Sequence, residues 1–102
     1  MTTITNIIIT IAQRDEKASH RFQRAKYFKV RAIQTQAEAI VSEDWEGIEF
    51  AHRFNDAYKR NMRLTCERIA WLTGIDEAEV KAVMAEYAKE VVTDALVDCF
   101  PC

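Results

Sequence analysis

Arg14, Lys17, Arg21, Arg24, Phe28 and Arg31 follow one another at intervals of three or four residues, which puts all six on one face of a helix. A row of cations with rings beside it is suited to a polyanion: the cations neutralise phosphate or carboxylate, and the rings stack. Arg53, Lys59, Arg60 and Arg63 form a second basic group, and His20, Tyr27, Phe28 and Tyr58 are the rings at hand. The plainer expectation is a solvated face neutralised by the chain's own acids, and 16 Asp and Glu against 14 Lys and Arg are enough for that. The candidate anion-binding set is therefore Arg14, Lys17, Arg21, Arg24, Tyr27, Phe28, Arg31, Arg60 and Arg63. Its ligand is nucleic acid, a nucleotide or an acidic protein face.

Cys99, Phe100, Pro101 and Cys102 have the C-x-x-C spacing of redox pairs and zinc sites. A redox pair normally opens a helix on a βαβ scaffold, and zinc needs two more ligands. Neither context is visible, so free thiols are expected, and nothing in the spacing of Cys66, His20 and His52 ties them into a metal site. His52 and Cys66 fall 14 residues apart on one expected helix, a separation of about 21 Å that rules out a nucleophile and base pair within one chain. The sequence lacks G-x-S-x-G, H-E-x-x-H and G-x-x-x-x-G-K-[ST] patterns, and two histidines and two glycines are few parts for a general base or phosphate loop. No enzyme, cofactor or metal is expected.

The elements that must position these residues are helices. Two glycines and one proline in 102 residues are too few for the turns of an all-β fold, and 49% hydrophobic residues allow a real core. Apolar or small residues at Ala18, Phe22, Ala25, Ala32, Ile33, Ala37 and Ile40 give a first helix over 15–41. Ile48, Ala51, Phe54, Tyr58, Met62, Thr65, Ile69 and Leu72 give a second over 45–73, preceded by capping oxygens at Ser42, Glu43 and Asp44 and stopped by Gly74. Asp76 and Glu79 read as a capping box for a third over 76–98, with Val80, Val83, Met84, Tyr87, Val91 and Ala95 inward. Residues 1–13 are ambiguous. Their β-branched content favours a strand, yet Ile4, Ile7, Ile8 and Ile11 fit a helix face, and these isoleucines are the candidate self-association surface.

Charge alternates along the chain. Residues 14–31 carry +5, 32–50 carry −5, 51–68 carry +3 and 69–102 carry −5. Antiparallel first and second helices would gather both basic blocks at one end and leave the acidic block at the hairpin tip. Phe50 and Trp71 fall beside the apolar stripe of the second helix, where they either widen it toward a partner or touch the third helix.

Residues 65–84 resemble the helix-turn-helix pattern, with Ile69 and Ala70 on one helix, Gly74 at the turn, Ile75 after it, and Val80 and Val83 on the inner side of the next. The resemblance implies a second helix in the major groove, with Asp76, Glu77 and Lys81 among the outward, base-facing positions. Those outward positions hold no Arg, Asn or Gln, the side chains that read guanine or adenine, and the acids beside them oppose phosphate. The packing half of the motif is present without its reading half, so a structural corner is the stronger expectation.

The expected fold is a single all-α domain: a three-helix bundle with two long antiparallel helices and an Ile-rich N-terminal segment. The most apolar run is far shorter than the roughly 20 residues of a membrane span. The odd count of three cysteines and the lack of a secretory signal point to the cytoplasm. The expected function is that of a non-enzymatic, self-associating binding protein with a protein partner, acting by occupancy through its basic face. In size and charge pattern the chain is similar to small helical modulators of nucleic-acid machines, including those made by phages. The alternative is a helix-turn-helix transcriptional regulator.

Overall fold

The computed structural model describes residues 3–99, and these form four helices: α1 (Thr3–Arg14), α2 (Glu16–Ser42), α3 (Trp45–Thr73) and α4 (Glu77–Cys99). The all-α expectation holds, but the Ile-rich segment is a helix of the bundle, making four rather than three. A helix satisfies its own backbone polar groups, whereas a strand would need a partner, and none exists among the described residues. Helical spacing also carries Ile8 and Ala12 into full burial, which overrides the strand preference of β-branched side chains.

One residue separates α1 from α2. Asp15 is extended (φ −71°, ψ 126°), its N–H still donates to the Ile11 carbonyl, and its carboxylate accepts from the Ala18 N–H at 3.0 Å as the cap of α2. Two residues then separate α2 from α3. Glu43 takes the left-handed conformation (φ 54°) and closes α2, while Asp44 caps α3 by accepting from the Gly47 N–H.

The long pair is antiparallel. Arg68 reaches Asp15 at the base of the hairpin, Lys29 Nζ donates to Asn55 Oδ1 at 2.9 Å midway, and Gly47 meets Ala39 near the tip. The acidic residues 32–50 do form that tip. Gly74 (φ 73°) ends α3, and α4 then runs back alongside it: Lys81 shares a hollow with Met62 and Cys66, whereas Lys89 shares one with Tyr58. Residues 65–84 form the corner between α3 and α4, with Gly74, Ile75 and Asp76 between the two helices.

The core lies at the base, where Ile8, Ala12, Ala18, Phe22, Cys66, Ile69, Val80, Met84 and Ala88 are buried together. Phe22 stacks on Tyr87 at 5.2 Å between ring centres, locking α2 to α4. Toward the tip only two helices remain, and Ile40, Val41 and Trp45 are exposed. No helix of the described residues is long and apolar enough to cross a membrane. The Cys99 side chain, Phe100, Pro101 and Cys102 lie outside the described residues, and with them the C-x-x-C pattern.

Candidate functional site

Where α2 and α3 lie side by side, one flank of the hairpin carries both cations and rings. Lys17, His20, Arg21 and Arg24 of α2 line an open hollow of about 500 Å³ together with Glu16 and with Asn61 of α3. Asn61 is buried, and its amide is held by donating from Nδ2 to the Ala57 carbonyl at 2.8 Å. From Arg24 the flank continues as a ladder. The Arg24 guanidinium lies 5.6 Å from the Phe28 ring centre, Phe28 stacks on Phe54 of α3 at 6.3 Å, and Arg31 lies 5.7 Å from Phe54. Tyr27 meets Phe28 edge-on at 5.5 Å, and one turn along α3 Arg53 covers Phe50 at 5.4 Å.

Arg24, Arg31 and Arg53 of this flank lie against rings and not against carboxylates. Among the described residues Lys17, Arg21, Arg24 and Arg31 make no ion pair, although the Asp15 carboxylate feels the Lys17 charge and Glu16 lines the same hollow. Arg68 is the exception. Its Nε and Nη2 donate to both Asp15 carboxylate oxygens at 3.0 and 3.2 Å, and it also lies 5.2 Å from the Trp71 ring. That bidentate pair holds the Asp15 carboxyl below its ordinary value, with help from the Ala18 N–H, and raises Arg68 in return.

No protein-family model, curated protein or solved structure matches the chain.

The structure gathers part of the expected anion-binding set and disperses the rest. Lys17, Arg21, Arg24, Tyr27, Phe28 and Arg31 share the flank just described. Arg14 ends α1 across the Asp15 corner, where its charge complements that helix's C-terminal carbonyls. Arg60 is exposed on α3, and Arg63 lines a different hollow with Lys59 and Lys81. Of the isoleucines, Ile4 and Ile7 are exposed, but Ile8 is fully buried and Ile11 packs on the core. A self-association surface made of all four is therefore not available. Asp76, Glu77 and Lys81 are exposed, and Lys81 Nζ lies 3.5 Å from Glu77 Oε1.

His20, His52 and Cys66 line three separate hollows. Among the described residues no three of His, Cys, Asp and Glu come together in a metal-holding group. Burial pushes the Cys66 thiol up to about 11, so it is a protonated, poor nucleophile at neutral pH.

Phe54 and Asn61 join the site although helical spacing places Phe54 in the core stripe of α3 and gives Asn61 no role. A signal for them exists: Phe50, Phe54, Ala57, Asn61, Leu64, Arg68 and Trp71 recur every three or four residues, a second seam beside the core stripe. Phe50 and Trp71 are 53% and 76% exposed, so the two ends of that seam are at the surface and neither residue belongs to the core.

Proposed function

We propose that this protein is a non-enzymatic binding protein that acts by occupying single-stranded nucleic acid along the α2–α3 flank. Through that occupancy it modulates a larger machine working on the same strand. The observation that carries the reading is the hollow of Lys17, His20, Arg21 and Arg24, whose lining includes Glu16 but no ion pair, continuing into the Arg24, Phe28, Phe54 and Arg31 ladder. Phosphates would sit at the cations, and unstacked bases would lie against exposed rings such as Tyr27 and Phe50. Stacking needs splayed bases, which favours a single strand over a duplex or an acidic protein. A helix-turn-helix regulator is less well supported, because Asp76, Glu77 and Glu79, exposed at and just before the start of α4, would bring negative charge to a phosphate-lined groove.

Fluorescence anisotropy with a labelled oligonucleotide across a salt series tests this. Four phosphate contacts by Lys17, Arg21, Arg24 and Arg31 predict a slope of log K against log salt of about −3 for a single strand. Arg21→Glu with Arg24→Glu is expected to weaken binding more than tenfold. Absence of binding at low salt would refute the reading, and equal binding to duplex would remove the role of the rings.

A further inference from the structure

A different face of α3 is built to meet itself. Trp45, Glu49, His52, Asp56, Lys59 and Arg63 recur at steps of three or four, and all six are exposed. Among the described residues none of them makes an ion pair. Glu49 lies toward one end of this row, Lys59 and Arg63 toward the other, and His52 and Asp56 flank its centre. Two copies of α3 laid antiparallel about a two-fold axis near residue 54 bring Glu49 opposite Lys59, His52 opposite Asp56, and Trp45 opposite Arg63, all in one register. A parallel alignment would put like charge on like.

The end of the register is shaped as well as charged. Lys59 and Arg63 line a hollow of about 330 Å³ with Lys81, and Tyr58, Met62, Cys66 and Ala85 supply its apolar lining. An occupant that suits it is apolar with acids beside it. Trp45, 66% exposed and flanked by Glu43, Asp44 and Glu46 on the hairpin tip, has that character. We propose that the protein is an antiparallel two-fold homodimer paired through this face of α3, each Trp45 seated in the Lys59, Arg63 and Lys81 hollow of the other copy. A two-fold interface makes every such contact twice, so modest contacts are doubled. The paired stretch is roughly 27 Å of helix at the helical rise, a small interface that predicts a Kd in the micromolar range. This proposal does not rest on nucleic-acid binding, which uses the α2–α3 flank.

Sedimentation equilibrium of the full chain from about 1 to 500 μM spans that range of Kd. The expected result is a concentration-dependent rise from the 11.8 kDa monomer to twice that mass. Glu49→Lys alone and Lys59→Glu alone are each expected to weaken dimerisation at least tenfold, and the two together in one chain to restore it, since the exchange preserves the cross-pair. Circular dichroism checks that each surface variant is folded. Arg21→Glu with Arg24→Glu should leave the dimer intact while weakening nucleic-acid binding more than tenfold, so either proposal can fail without the other. A monomer at every concentration, no rescue by the exchange, or loss of the dimer on Ile4→Asp with Ile7→Asp while Trp45→Ala is silent would each overturn it.

Discussion

Asp15 does three jobs at once. It turns the chain between α1 and α2, caps α2 through the Ala18 N–H, and receives Arg68 from a position 53 residues further along. Because its folded-state value lies below the unfolded one, its contribution to stability is complete at neutral pH. That contribution is lost as pH falls from the ordinary value of 3.8 through the lower folded one. Carboxyl-resolved NMR should find the Asp15 midpoint below the ordinary value of 3.8. The Tm gap between wild type and Asp15→Asn should be largest near neutrality and close as pH approaches the acid limit; a gap independent of pH would refute the linkage. Nothing in the spacing of Asp15 and Arg68 reveals this pair, because the register of two long helices decides it.

The helices themselves were largely legible, since long amphipathic stripes and end signals such as Asp44 and Gly74 act locally. Their inner faces were less so. Ala37 and Ile40 fit the α2 stripe but are exposed, because at that level only α3 is present to cover them, whereas Val30 and Ala39 are buried. Gly47 shows why the tip closes. A Cβ there would lie 2.9 Å from the Ala39 Cβ and 3.1 Å from an Asp44 carboxylate oxygen, so glycine lets α2 and α3 approach closely just after the turn. Because the Ala39 Cβ is fixed to backbone, Gly47→Ala must spread the helices. It is expected to destabilise the fold by about 1–3 kcal/mol despite alanine's better helix propensity, as read by urea denaturation. An increase in stability would show that the close approach is not needed.

At the scale of the whole molecule, stability and charge are both unevenly distributed. α1 and α4 cover only the base of the α2–α3 hairpin, so Phe22, Cys66, Ile69 and Met84 sit in a multi-helix core while the tip relies on a two-helix seam. Local opening should therefore be easier at the tip. In hydrogen exchange, amides of 36–50 are expected to exchange well before those of 62–70 and 82–90, and uniform protection would contradict this uneven core. The acidic tip and basic base give the rod opposite ends, which favours antiparallel meeting of copies and leaves the cationic flank open to polyanions.

Composition and periodicity were enough to determine an all-α chain, the two long helices, their ends and the sign of each charge block. These rest on interactions within one or two helical turns. The N-terminal segment needed tertiary structure, because its isoleucines suit a strand or a helix equally, and only the groove formed by the other helices makes helical burial of Ile8 and Ala12 the better outcome. The site needed it too. The basic row was visible, but whether its cations would be met by acids or by rings depended on which residues α3 laid beside them. The α2–α3 register put Phe54 and Asn61 there, and it turned Arg63 away toward α4.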